Sequence, residues 1–450
     1  ITAAALIPSL CFAVFESGEA EIGWRTTKAF GFSIVFCTIL GFGLWYGTRK
    51  YRDDRFTASE GFAVAALGWA LMAGLGAMPM YLCANHDIRA PGYEYKLVGQ
   101  SPGPDFTYID AYFECISGFT TTGSSVFGTA RDPKTGRGIG IIEALPKSFL
   151  FWRSLTHWLG GMGIVVLCLA LLPALRAGGY QMFQAEVPGP TADRLLPRVR
   201  QTAAILWGVY VLLSGAEALL LWLGDMPLFD ALCHTFGTMA TGGFSTKDAS
   251  IGHYFRNDVP NNLYFEVVID VFMFLAGVNF LLHFQALRGN LDAYRKNSEF
   301  RFYTVVVMIA VLLLTISLRV SGMGPDTYGQ TVREAVFQTL AIMTTTGFAT
   351  ANFDLWPGFC RLLLVVLMFF GGCAGSTGGG LKQIRIYVIF KYIYRSLLRL
   401  LRPGLANRIR VGEETLDEKL VANIIGLALL WAVVFGVACV LLMPLLGDTM

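Results

Sequence analysis

Three short segments of the 450-residue chain end alike, on a threonine-containing run closed by glycine. They read D-A-Y-F-E-C-I-S-G-F-T-T-T-G at 110–123, D-A-L-C-H-T-F-G-T-M-A-T-G-G at 230–243 and E-A-V-F-Q-T-L-A-I-M-T-T-T-G at 334–347, and they align without gaps. Each starts with an acid followed by alanine and carries Phe or Cys at the fourth position. The chemistry these residue types offer is coordination rather than bond making. Gly123, Gly243 and Gly347 open backbone angles closed to other residues, so successive carbonyls can face one axis. A ring of such carbonyls can replace the hydration shell of a permeating ion. One copy alone reads as an ordinary Thr/Gly loop; three copies at offsets of 120 and 104 residues read as a repeat.

A second feature is G-G-C-A-G-S-T-G-G-G at 371–380, six glycines in ten residues directly after the apolar run 358–370. Glycine costs about 1 kcal/mol per helical position relative to alanine, so this stretch is expected to leave the helix and loop inside the membrane. Its position, below the third segment and followed by Lys382 and Arg385, suits a mobile constriction on the cytoplasmic side. It is not a phosphate loop, because Leu381 separates Gly380 from Lys382 and Gln383 follows. A close-packing helix face is the other reading. Packing is the favoured reading of the milder run Gly160, Gly161, Met162, Gly163.

The elements around these segments must hold them at depth. About a dozen helical residues span roughly 18 Å, enough to reach only partway across a bilayer. An acid at the start (Asp110, Asp230, Glu334) can cap free N–H groups and complement the helix dipole, whose negative end then points inward. The chain after it must return in extended form, which is tolerated at depth only where protein buries it or water lies beside it.

Spanning helices are expected over 27–47, 58–82, 148–172, 202–223, 263–287, 302–318, 358–370 and 420–446, with a shorter helix over 1–15. Composition agrees: 54% of residues are hydrophobic, 15% charged, and mean hydropathy is +0.54. A net charge of +3 gives no footing for nucleic acid. The distribution of Lys and Arg orients the chain. Arg49, Lys50, Arg52, Arg55, Arg176, Arg194, Arg198, Arg200, Arg288, Arg295, Lys296, Arg301 and eight more from Lys382 to Arg410 fall on one side, 20 against nine on the other. That side is the cytoplasmic one. The nine cysteines show no C-x-x-C or metal-ligand spacing; most, such as Cys37, Cys168 and Cys439, read as packing residues.

Isolated polar residues are ambiguous. Glu217, Asp270, Asn279 and His283 either line a pathway or bond neighbouring helices. His234, at the position of Glu114 and Gln338 in the other segments, suits a structural hydrogen bond behind the filter. Arg153, near the outer end of its helix, is expected to snorkel. No acid/base constellation forms around Asp270, His283 or His157, which argues against an enzyme.

On these residues the chain resembles the TrkH-type proteins of the Trk/Ktr/HKT superfamily of potassium transporters. The likeness covers the three segments, H-W-L-G-G-M-G-I at 157–164, A-E-V-P-G-P at 185–190, G-G-F-S-T-K-D-A-S at 242–250, N-F-L-L-H-F at 279–284 and, most specifically, G-G-C-A-G-S-T-G-G-G-L-K at 371–382. It implies an all-α polytopic membrane protein of the bacterial cytoplasmic (inner) membrane. Helix, re-entrant pore helix with filter strand, and helix would repeat with pseudo-fourfold symmetry around one pore, preceded by two extra helices. The resulting division is 1–57 extra helices, 58–200, 201–300 and 301–410 pore repeats, and 411–450 the first helix of a fourth.

The resemblance further implies K⁺ as transported ion, with no organic cofactor. Carbonyls of Thr121, Thr122, Thr241, Gly242, Thr345 and Thr346 would hold it, next to Gly123, Gly243 and Gly347. Gly371, Gly372, Gly375, Ser376, Thr377, Gly378, Gly379 and Gly380 would form the gating loop. A homodimer in the lipid bilayer and a cytosolic nucleotide-binding regulatory subunit of TrkA type are the implied partners. A Na⁺-permeable relative is the near alternative, which Gly123 in place of Ser disfavours. A secondary transporter with a broken-helix site is the more distant one and predicts inverted repeats, whereas these units keep one orientation. No fourth segment precedes Met450, so the sequence is expected to be a fragment.

Overall fold

The computed structural model describes residues 2–16, 21–51, 58–87, 106–127, 129–131, 138–171, 199–325, 327–402, 409–412 and 414–446. The motif at 185–190 and the basic residues Arg52, Arg55, Arg176, Arg194 and Arg198 lie outside them. The fold is helical, with two small antiparallel hairpins, Thr129–Arg131 with Gly138–Gly140 and Arg410–Val411 with Glu414–Thr415.

In chain order the principal helices are α1 (Ile7–Glu16), α2 (Glu21–Thr48), α3 (Ala58–Asp87), α4 (Tyr108–Phe119), α5 (Lys147–Leu171), α6 (Val199–Leu223) and α7 (Leu228–Met239). They continue with α8 (Asn262–Ala276), α9 (Phe280–Leu287), α10 (Ser298–Ser321), α11 (Tyr328–Met343), α12 (Gly358–Met368), α13 (Gln383–Leu401) and α14 (Glu418–Leu446). Among the described residues five qualify as membrane spans by length and composition, within α2, α3, α6, α10 and α14. The three repeat segments form α4, α7 and α11, of 12, 12 and 16 residues, too short to cross.

Two expected spans are broken. The run 263–287 bends by 103° between α8 and α9, where Gly277 and Val278 precede Asn279, whose side chain accepts the Leu281 N–H and caps the new helix. The run after 358 stops at Met368, as the glycines require. The acids do not play one role either. Asp110 closes a capping box with Thr107, but α11 is capped by Thr327, which leaves Glu334 in its second turn.

Among the described residues a small apolar core joins α13 to the start of α14 through Val388, Leu420, Val421 and Ile424, and two large ones divide the rest. One joins α1–α5 and takes in Cys233 of α7; the other joins α6–α12. The glycines of α5 let these cores meet. A Cβ on Gly160 would lie 2.2 Å from the Phe119 carbonyl at the end of α4, and one on Gly161 would lie 2.8 Å from Ala240 Cα at the end of α7. The packing reading of this run therefore holds. Helix α14 is otherwise exposed: only 6% of its apolar window is buried, its buried residues Leu420, Val421 and Ile424 lie near its start, and further along Trp431 and Phe435 meet Phe369 edge-on. Six of the described cysteines are buried, but Cys439 is exposed on α14 and does not pack.

Substituting Gly160 or Gly161 by Ala forces the short helices away from α5 and is expected to cost about 1–3 kcal/mol. Gly208→Ala, at a site with nothing within 4 Å, is the neutral control. Thermal unfolding in detergent, followed by tryptophan fluorescence, should show the first two melting below the third.

Candidate ion filter and its loop

The three short helices end on one backbone pattern. After the cap residues Thr120, Ala240 and Thr344 come Thr121, Thr241 and Thr345 with φ of 53°, 54° and 62°, and two residues later Gly123, Gly243 and Gly347 with φ of 75°, 80° and 80°. In α4 the Thr121 N–H donates to Gly118 O (3.0 Å) and the Thr122 N–H to Ser117 O (2.9 Å). In α7 the Thr241 N–H donates to Thr238 O and the Gly242 N–H to Gly237 O, each at 2.9 Å. Both are Schellman closures, normally built on glycine. In α11 the Thr345 N–H donates to Ile342 O and the Gly347 N–H to Ala341 O, a related closure. A β-branched residue in the left-handed region is a strained outlier costing about 1–3 kcal/mol, and such outliers gather at functional sites. Sequence reasoning placed left-handed backbone at the glycines and missed these threonines.

The segments stand side by side in chain order. A Cβ on Gly123 would lie 2.0 Å from Gly242 O, and one on Gly243 would lie 1.9 Å from Thr346 O. Beside Gly347 nothing stands within 4 Å among the described residues. Thr121, Thr122, Gly123, Thr241, Gly242, Gly243, Thr345, Thr346 and Gly347 are thus brought together as neighbouring backbone turns.

Polar side chains behind them differ by segment. Glu114, fully buried, accepts at Oε1 from Ser125 Oγ and Val126 N, both at 2.6 Å. His234 donates through Nδ1 to Asp230 O (2.7 Å), so its Nε2 accepts from Ser245 Oγ (3.0 Å), as the structural reading of that residue expects. Gln338 is buried with no hydrogen-bond partner among the described residues. Arg153 does not snorkel. It is 2% exposed and pairs with Glu114 at 2.9 Å. Charge pairing across two elements is invisible to a reading of single helices.

The glycine run forms a loop directly under the third segment. Phe370 and Leu381 bridge its ends, and the Gly371 N–H donates to Leu381 O. The loop reaches three neighbours. The Gly379 N–H donates to Thr345 Oγ1 (2.7 Å), Thr377 Oγ1 donates to Met239 O at the end of α7 (2.9 Å), and the Cys373 N–H donates to Gly277 O at the α8/α9 break (2.8 Å). Gly375 returns the contact, its carbonyl accepting from the Phe280 N–H. From the α10 side, buried Glu299 accepts through Oε1 from the N–H groups of both Ala374 (2.8 Å) and Ile384 (3.0 Å). Glu299 and Gly277 escaped the sequence reading because their roles depend on a loop distant in the chain.

Of the isolated polar residues, Asn279 caps α9, and His283 donates to Leu275 O and accepts from the Tyr294 hydroxyl, so both bond structural neighbours. Glu217 and Asp270 are buried. Among the described residues no group of three or more His, Cys, Asp or Glu could hold a metal ion.

Apolar helices long enough to cross a bilayer, with short helices packed among them and closed on left-handed turns that touch one another over a glycine loop, define a polytopic helical membrane protein. A family model described as TrkH, cation transport protein, matches residues 134–447. The chain belongs to the TrkH family. It is 36% identical over 435 residues to the Trk system potassium uptake protein TrkH of Salmonella typhimurium, covering 96% of this chain and 81% of that one. It is 30% identical over 421 residues to the Trk system potassium uptake protein TrkG of Escherichia coli, covering 93% and 78%. Its fold is similar to the crystal structure of the potassium transporter TrkH from Vibrio parahaemolyticus, with a TM-score of 0.80, 31% identity and coverage of 98% and 83%.

Removing the Glu299 carboxylate strands two buried N–H groups, each costing about 1–3 kcal/mol. Glu299→Ala should therefore loosen the loop. Hydrogen exchange followed by mass spectrometry should show faster exchange over 371–384 than in the parent, with α4 and α7 unchanged.

Proposed function

We propose that this chain is the ion-conducting subunit of a Trk-type system that takes up potassium across the bacterial inner membrane. The observation that carries this reading is the threefold recurrence of a strained threonine two residues before a left-handed glycine, in turns that contact one another. Backbone carbonyls of Thr121, Thr122, Thr241, Gly242, Thr345 and Thr346 coordinate the ion, and Gly123, Gly243 and Gly347 permit the turns. Carbonyl dipoles suit a large, weakly hydrated cation, which gives up its water at modest cost. The inward C-terminal ends of α4, α7 and α11 add partial negative charge along the path.

The loop of Gly371, Gly372, Gly375, Ser376, Thr377, Gly378, Gly379 and Gly380 is the gate. Its glycines allow two backbone arrangements, and its hydrogen bonds to Thr345, Met239 and Gly277 hold the closed one. The pore repeats run over 58–200, 201–300 and 301–410, with 411–450 beginning a fourth. The subunit works as a homodimer, and a cytosolic nucleotide-binding subunit of TrkA type docks on the basic inner surface to release the loop.

A side chain at Gly123 or Gly243 would collide with the carbonyl of the next segment, and at Gly347 it would strain the turn. Ala at any of the three should lower ⁸⁶Rb⁺ uptake or its preference over ²²Na⁺ by about tenfold, a fold-change worth roughly 1.4 kcal/mol, in proteoliposomes holding the full-length protein. Unchanged uptake and preference in all three would refute the filter.

A further inference from the structure

We propose that Arg153 is a positioning residue for the ion filter: paired with Glu114 and seated on Phe244, it fixes the spacing of the first and second filter strands and so sets ion discrimination. The proposal rests on the filter reading above and adds a residue to it. Arg153 lies on α5, outside both filter segments, yet it touches the strand that follows the second directly and reaches the one that follows the first through Glu114 of α4. Its Nε donates to Glu114 Oε2 (2.9 Å), while Glu114 Oε1 holds Ser125 Oγ and Val126 N just beyond Gly123. Its Nη1 donates to Ser245 O (3.2 Å), two residues beyond Gly243. The guanidinium carbon stands 3.4 Å from the centroid of the Phe244 ring, between those two residues. His157, one turn further along α5, also stacks on Phe244, with centroids 4.0 Å apart, and bonds Gly118 O at the end of α4. One face of one helix thus holds the second filter strand directly and the first through the end of α4.

Stability alone does not account for the pair. Both side chains are almost wholly inaccessible, and an ion pair drawn out of water is often no better for stability than well-packed apolar residues. The equivalent positions manage without charge, through neutral His234 in the second segment and Gln338 in the third. What the pair supplies is geometry. A planar guanidinium can bond a carboxylate and a carbonyl in fixed directions while lying flat on a ring, which a lysine ammonium cannot reproduce. Filter carbonyls that drift apart accept a wider range of ion sizes.

The test compares Arg153→Lys, Arg153→Gln and Glu114→Gln with the parent, as full-length protein in proteoliposomes, measuring ⁸⁶Rb⁺ and ²²Na⁺ uptake normalised to folded protein. The ratio of the two ions should fall about tenfold, the order expected for losing a charge-assisted hydrogen bond, in every variant that reaches the membrane. A merely structural role lowers both fluxes together. An unchanged ratio in any of these variants, or failure of all three to reach the membrane, overturns the proposal. Gly123→Ala runs alongside. If it too leaves the ratio unchanged, the filter reading itself fails; if it alone shifts the ratio, only the assignment to Arg153 fails.

Discussion

A peptide group away from water must have a hydrogen-bond partner, and everything distinctive in this molecule follows from closing three short helices on non-helical turns packed against one another inside a helical membrane protein. Each turn follows a short helix whose last carbonyls would otherwise be orphaned. The Schellman closures at Thr121 and Thr241, and the related one at Thr345, satisfy them while turning the chain sharply back. Threonine in a left-handed conformation is unfavourable by itself, so neighbouring structure has to hold it. That support comes from the contact of each segment with the next and from the glycine-lined face of α5, which admits α4 and α7 to backbone distance.

Support from behind is uneven. The first segment leans on a buried ion pair, the second on a neutral histidine bonded to a serine, and the third on Gln338, which has no hydrogen-bond partner among the described residues, with the glycine loop pressing from below. The loop in turn depends on the break at Gly277 and on Glu299, which satisfy its amides without water. Three side-chain chemistries around one backbone pattern mean that the pattern itself, not any single residue behind it, is common to the segments.

Local signals made much of this legible in the sequence. Three gapless copies of one segment and six glycines in ten residues each announce themselves within a short window, and apolar length marks the spans. Features requiring two distant parts of the chain were hidden. Arg153 looked like a snorkelling residue because Glu114 is 39 positions away. The 103° bend after Ala276 lay inside a continuous apolar run, where only Gly277 and the capping Asn279 hinted at it. Glu334 aligned with two acids near helix starts, yet α11 begins a turn earlier, at a threonine cap the alignment did not include. The left-handed threonines ran against propensity, so no propensity argument could find them.

The most direct test of the backbone filter is to see the ion in it. Anomalous diffraction from crystals of the full-length protein grown in thallium, a heavy-atom substitute for potassium, should place peaks on a line within coordinating distance of the carbonyl oxygens of Thr121, Thr122, Thr241, Gly242, Thr345 and Thr346. Thallium bound only elsewhere, for instance at the buried carboxylates Glu217 or Asp270, with none beside those carbonyls, would contradict it.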